Sequence, residues 1–412
     1  DRCTTMAEAM QVDGAKEGAS PVKVKADDDP EAEGEWMRLS FIRFKITSPK
    51  CPASAKDSLW ADFMQLVERF NAVAVYEITC QETGRKIDSS LVAKMKAENE
   101  RRLKEVEDAI KDAQENEGDM EVRDGMMAKA QVLARTATKE LAANAYDEAE
   151  KLPKTTSGQK LDVRFHLMRI GMFWGDIYMV ETHVKVCKEL VDNGGDWERR
   201  NRLKVYEASY LISIRDFKRA ATLLLESIST FTAVDLYSYN QFVFYTVVCA
   251  TIACDRKTIK EKVIHAPEIL QVIAGNPALE KMINSLYKCL YKDFFVALVD
   301  IVDQLFLDRF VHSHARYFLR QARVVAYTQY LESYHTVDMA SMSATFGVGL
   351  DFLDHELSDL VACGRLSCKI DKVKGIVSSN RPDRKNALYQ QTIKQGDALL
   401  NRIQKLSRVI TI

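Results

Sequence analysis

Three segments of this chain repeat one spacing: Lys139, Ala142, Tyr146 and Ala149; Ile177, Val180, Val184 and Cys187; Phe217, Ala220, Leu224 and Ser227. In each, the later positions fall 3, 7 and 10 residues after the first. That puts all four on one face of an α-helix, which turns every 3.6 residues or about that. The starts at 139, 177 and 217 lie 38 and then 40 residues apart, the period of helix-turn-helix repeats. Each such unit buries its apolar face only on its neighbours, so the units stack into a curved, TPR-like solenoid whose outer surface is free for partners.

The rest of the chain permits the same reading. Only 8 prolines and 17 glycines punctuate 412 residues, and strands are nearly absent. A helical pair is expected around Trp60 to Phe70. Leu91 to Ala113 is very rich in Lys, Arg and Glu, with Leu103, Val106, Ile110 and Ala113 forming a narrow seam, so it reads as one long solvated helix. Its charges serve either as a solvated face, with ion pairs worth about 0.2–0.5 kcal/mol each, or as an arm reaching another subunit. Leu236 to Cys254 contains no charged residue, but its apolar part, Phe242 to Cys254, is shorter than the roughly 20 residues a membrane-spanning helix needs. It predicts a buried core helix.

Beyond Tyr330 the pattern changes. Val337, Met339, Met342 and Phe346 predict a short helix ending at Gly347, and Leu350, Leu353, Leu357 and Leu360 predict a second one, ended by Gly364. Leu366, Cys368 and Ile370 alternate with polar residues, and a second β run follows from Gly375 to Ser378. Helix, helix and hairpin in this order describe a winged helix. After the turn-forming Asn380, Arg381 and Pro382, a last helix runs from about Ala387 to Ile410.

Charge and cysteine usage exclude several function classes. Lys and Arg number 58 against 59 Asp and Glu, a formal net charge of −1, so no global field attracts nucleic acid or an anionic membrane. The 9 cysteines are scattered with no zinc-site spacing, which fits reduced thiols in the cytoplasm or nucleus. The acidic residues Asp27, Asp28, Asp29, Glu31, Glu33 and Glu35 mark the first 35 positions as a disordered tail without a signal sequence.

Several blocks are distinctive: Gly194-Gly195-Asp196-Trp197, Arg199 to Tyr206, Phe346-Gly347-Val348-Gly349, Gly364-Arg365-Leu366, Lys369-Ile370-Asp371 and Asn401 to Ile410, with Arg123 to Lys129 and Leu167 to Gly171. From about residue 36 to the end, the chain resembles the non-ATPase regulatory subunit 6 family of the 26S proteasome. The resemblance implies a subunit of the regulatory-particle lid, with helical repeats leading into a PCI domain, a module shared with the signalosome and a translation initiation factor. In that family, winged helices of neighbouring subunits associate side by side and C-terminal helices gather into a bundle. It also implies contacts with the ATPase ring or core, and a structural part in degrading ubiquitin-tagged proteins. The expected organisation is therefore a tail over 1–35, helical repeats over 36–215, a PCI domain over 216–385 with its winged helix at about 325–380, and an assembly helix over 386–412.

His312-Ser313-His314 resembles the paired histidines of metalloprotease-type deubiquitinases, but Ala315, Arg323 and Ala326 stand where that motif's proline, serine and aspartate would fall. Surface histidines are the simpler reading. A nucleic-acid-binding winged helix, or a PCI subunit of the signalosome, is the alternative function. Against DNA reading stand Asp351, Asp354, Glu356 and Asp359 on the second helix, although Arg365, Lys369, Lys372, Lys374, Arg381, Arg384 and Lys385 make the wing basic. Cys249/Cys254 and Cys363/Cys368 read as core thiols. No phosphate loop, nucleophile elbow or zinc-protease motif occurs. No catalytic, cofactor-binding or metal-ligating residue is assigned, and no enzyme activity or membrane partner is expected. The candidate site is an interface on the closing helix, where Leu399, Ile403, Leu406 and Ile410 share one seam that Leu400 and Val409 widen.

Overall fold

The computed structural model describes residues 30–410 except 117, 137, 153–154, 195 and 380–383. The chain is mainly α-helical. Four helices lead: α1 (Pro30–Thr47), α2 (Ala53–Phe70), α3 (Val73–Thr83) and the long α4 (Ser89–Asn116). Six more follow: α5 (Asp119–Thr136), α6 (Lys139–Glu150), α7 (Ser157–Trp174), α8 (Ile177–Asp192), α9 (Trp197–Ser213) and α10 (Phe217–Ser227). From α4 to α10 each helix packs on the next. The three recurring segments begin at the first residues of α6, α8 and α10, and Ala142, Tyr146, Ala149, Val180, Val184, Cys187, Ala220, Leu224 and Ser227 are all buried.

Local chemistry sets these boundaries. Thr156 and Gln159 form a capping box at the start of α7, while Asp176 and Asp216 accept from backbone N–H groups at the starts of α8 and α10. Gly175 ends α7 in the left-handed region (φ 79°), turning the chain into α8. The seam of α4 is used internally: Val106 and Ile110 are buried with Ala128 of α5.

The segment expected as a tail is helical from Pro30 onward, and residues 1–29 lie outside the described residues. The first turns of α1 are acidic, but Trp36 stacks on Phe173 with ring centroids 4.0 Å apart, and Glu33 pairs with Arg135 at 2.9 Å. Long-range partners therefore fix a segment whose composition alone favours solvent.

A second helical group completes the body: α11 (Tyr239–Ala253), the short α12 (Arg256–Ile259), α13 (Pro267–Ile273), α14 (Pro277–Tyr287), α15 (Tyr291–Phe306) and α16 (Ala315–Ser333). Helix α11 is the uncharged stretch, and its middle is buried as expected. No helix among the described residues is long and apolar enough to cross a membrane.

The winged helix consists of β1 (Thr336–Asp338), α17 (Met339–Phe346), α18 (Leu350–Ala362), β2 (Cys368–Asp371) and β3 (Ile376–Ser379). Its antiparallel sheet has the order β1-β3-β2, with Val337 opposite Val377 and Ile370 opposite Val377 on the other side. Val337, expected in a helix, is thus a strand residue. Its two-residue spacing to Met339 puts it off the face that Met339, Met342 and Phe346 share, and pairing with β3 satisfies the backbone of Thr336–Asp338 instead. Gly347 (φ 67°) ends α17 as expected. The last helix is α19 (Arg384–Ile410). The turn expected at Asn380, Arg381 and Pro382 lies outside the described residues.

Candidate assembly interface

Phe346 joins the winged helix to the helices before it. Its ring lies 4.7 Å from that of Tyr291, 4.9 Å from Tyr327 and 5.3 Å from both Phe295 and Tyr330. These aromatic contacts, each worth about 0.5–1.5 kcal/mol beyond area burial, make α15, α16 and α17 one packed unit. The surface beyond that unit is where a partner could attach.

On that surface, α18 departs from the sequence reading. Glu356 faces inward, accepting from Tyr327 at 2.7 Å and pairing with Arg323 at 2.7 Å, and Asp354 pairs with Lys372 of the wing at 2.7 Å. Two of the four carboxylates expected to repel phosphate are therefore matched by cations. Leu350, Phe352 and the wing-tip Val373 remain exposed, Val373 at 97%. Strand β2 pairs only with β3, so its other edge is open among the described residues, which is the geometry that accepts another strand or a covering element.

Helix α19 carries the strongest signal. All of its described side chains are exposed. Leu399, Leu400, Ile403, Leu406, Val409 and Ile410 range from 57% to 74% exposed, so the candidate interface residues sit together on one uncovered helix. The plainer outcome, a seam folded back onto the winged helix, is not what the structure has. Sequence reading also missed Leu388, Tyr389 and Ile393, exposed at 63%, 65% and 63%. Tyr389, Ile393, Leu400 and Ile403 occupy heptad-like positions that continue the seam toward the helix start. The polar run Gln390–Gln395 and the missing side chain of Gly396 hid that continuation.

The other candidates separate cleanly. His312 is exposed with its ring 4.4 Å from Phe44, while the Nε2 of His314 lies 2.8 Å from the Ser213 carbonyl oxygen. Among the described residues no group of three or more His, Cys, Asp or Glu side chains could hold a metal. Cys249 and Cys368 are buried thiols, and burial pushes both up in pKa; Cys254 is half-buried. Cys363, expected in the core, is exposed just past the end of α18.

Comparison with known proteins matches three stretches. The family described as 26S proteasome subunit RPN7 covers residues 88–262, the PCI domain covers residues 298–381, and the 26S proteasome regulatory subunit RPN7/PSMD6 C-terminal helix covers residues 389–410. The last includes both Tyr389 and Ile410. The chain is 45% identical over 388 residues to a 26S proteasome non-ATPase regulatory subunit 6 homolog of Arabidopsis thaliana, covering 93% of this chain and 100% of that protein. It is 44% identical over 347 residues to the Dictyostelium discoideum 26S proteasome non-ATPase regulatory subunit 6, covering 84% of this chain and 90% of that protein. With the 26S proteasome regulatory subunit RPN7 of Saccharomyces cerevisiae it shares 35% identity over 338 residues, 79% of this chain and 77% of that protein. Identity sustained from the helical body through the winged helix to α19 places this chain in the family of 26S proteasome non-ATPase regulatory subunit 6.

Proposed function

We propose that this chain is a non-catalytic scaffold of the proteasome regulatory-particle lid, supporting ATP-dependent degradation of ubiquitin-tagged proteins through subunit contacts alone. In this reading, TPR-like repeats over 36–215 set spacing and present a surface. The PCI domain over 216–385 pairs its winged helix with that of a neighbour, and 386–412 joins the C-terminal helices of other lid subunits. Contacts with the ATPase ring or core complete its partners, and cytoplasm and nucleus are its compartments. It needs no cofactor, membrane or nucleic acid.

The observation that carries this reading is α19, a helix of 27 residues whose apolar seam has no cover among the described residues. Burying each Leu or Ile on a partner would contribute about 1.5–3 kcal/mol, and a charge placed there would add a desolvation cost. Ile403→Asp combined with Leu406→Asp should therefore leave thermal unfolding of the isolated chain almost unchanged while abolishing incorporation into the lid. Truncation after Lys394 should do the same. Normal incorporation of either variant defeats the reading. Metal analysis and a ubiquitin-cleavage assay test the non-catalytic part; near-stoichiometric zinc with cleavage lost on His314→Ala would refute it.

A further inference from the structure

A cavity of about 330 Å³ opens where α1, the α7–α8 turn, the end of α9 and the loop before α16 converge. That volume lies within the roughly 300–1,000 Å³ of small-molecule sites. Phe44, Trp174 and Val180 supply apolar wall, and Arg309 and Tyr210 supply polar groups. The mouth is rimmed by exposed His312 and Ser313.

Arg309 sets the chemistry. Its guanidinium donates to the main-chain carbonyls of Ser40 (3.2 Å), Met172 (2.8 Å) and Phe173. A guanidinium has five N–H donors, so about two remain for a ligand. Its neighbour Asp308 is committed elsewhere, accepting from Tyr245 at 2.6 Å and Gln241 at 3.1 Å on α11. The other charges on the wall are matched: Arg43 pairs with Glu82 at 2.6 Å and Asp176 with Lys139 at 2.6 Å. Among the described residues Arg309 has no such carboxylate. Burial, with Arg43 nearby, pulls its pKa down to about 10, so it stays charged at neutral pH. One cation without a carboxylate partner among the described residues thus lines the same cavity as Phe44 and Trp174.

We propose that this cavity binds a small organic carboxylate with an apolar, ring-sized body, its carboxylate on Arg309 and its body against Phe44, Trp174 and Val180. Charge-assisted Arg–carboxylate bonds are among the stronger hydrogen bonds, and the carbonyls that now face the guanidinium are neutral. The ligand would bridge α1, the α7–α8 turn and the loop before α16. Nothing in this site touches α19 or the winged helix, so the proposal stands or falls apart from the assembly reading.

The test is titration calorimetry on the full chain with 3-phenylpropionate, its neutral amide and acetate. Saturable binding of 3-phenylpropionate is expected, with the amide and acetate each about tenfold weaker or worse. Arg309→Lys should weaken binding about tenfold, since a lysine ammonium has three donors in all and cannot serve the three carbonyls and the ligand together. Arg309 also caps α7, so a second variant, Ser313→Trp, closes the mouth from an exposed position and should abolish binding while leaving the ligand-free melting temperature unchanged. No saturable heat up to about 10 mM, equal binding of acid and amide, or wild-type binding by Ser313→Trp overturns the proposal.

Discussion

Arg169 and Asp235 meet 3.0 Å apart in the interior although 66 residues separate them in sequence. Asp235 also accepts from Arg202 at 2.7 Å and from Tyr206, and Arg169 reaches Glu33 of α1 at 3.7 Å. Burial by itself would raise the Asp235 pKa, but Arg169 and Arg202 outweigh it and hold the carboxylate below its usual range.

Removing that carboxylate should therefore be costly. Asp235→Ala leaves the buried Arg169 and the half-buried Arg202 without their shared carboxylate, and breaking such a buried pair costs about 3–5 kcal/mol. Thermal and urea unfolding of the isolated chain would show it. Because the folded pKa is depressed, the contribution is complete above the unfolded value of about 3.9 and is lost as pH falls through the folded one. The gap between wild type and variant should stay constant from neutral pH down to about pH 4 and shrink below it. A gap that closes near neutral pH would contradict this account.

A second pH dependence comes from His166 and His183. Burial, reinforced by Arg169, Arg202 and Arg135, holds His166 well below the usual histidine pKa, and burial with Arg164 brings His183 down to about 4. Arg169 and Arg164 can only donate, so the facing Nδ1 atoms must accept and the rings must be neutral. Their folded pKa values lie below the unfolded value, so this stability is full above about pH 6.5 and is lost as pH falls below it. The melting temperature should drop between about pH 7 and pH 5, and His166→Gln with His183→Gln should flatten that drop. An unchanged slope in the double variant would remove these histidines from the explanation.

Gly34 sets the approach of α1 to the loop before α11. A Cβ built there would lie 2.6 Å from the backbone oxygen of Val234, closer than side chains tolerate. Gly34→Ala must push α1 or that loop aside, at a cost of about 1–3 kcal/mol by analogy with overpacked cores. Helix propensity alone would favour alanine by roughly 1 kcal/mol, so the sign of the measured change decides between them. A stabilised variant would mean that the loop yields freely.

Helix α19 should exchange its amide hydrogens fastest among the long helices of the isolated chain. Its backbone bonds have no packed face among the described residues to protect them, and most helical stability in proteins comes from tertiary packing rather than propensity. Hydrogen exchange read by mass spectrometry on the isolated chain and on the assembled lid checks this. Slow exchange in the isolated chain would reveal cover that the fold lacks.

Much of this was legible in the sequence, for local reasons. The faces of α6, α8 and α10 show because an amphipathic helix writes its burial at fixed offsets, and the order of α17, α18 and the hairpin shows because Gly347 and Gly364 mark their ends. What stayed hidden depends on distant partners. Nothing near Glu31, Glu33 and Glu35 announces that Arg135 and Arg169 await Glu33. The isolated burial of Val337 reads equally as helix or strand until β3 is placed beside it. Tyr389 and Ile393 were obscured because Gly396 leaves their heptad without a side chain. The cavity around Arg309 is assembled from segments that no single window contains.

The placing of α1 also imposes an order on synthesis. It is the first described helix to leave the ribosome, yet its backbone at Ser40 is held by Arg309, 269 residues later, and its cover at Val234 comes nearly as late. At about 5–20 residues per second, the wait is roughly 15–55 s. Over that interval α1 can pack on α2 and α3 as they emerge, while its cover from Arg309 is still to come. Only the contacts of α1 with Val234 and Arg309 are then closing steps, which report that the body behind it has folded.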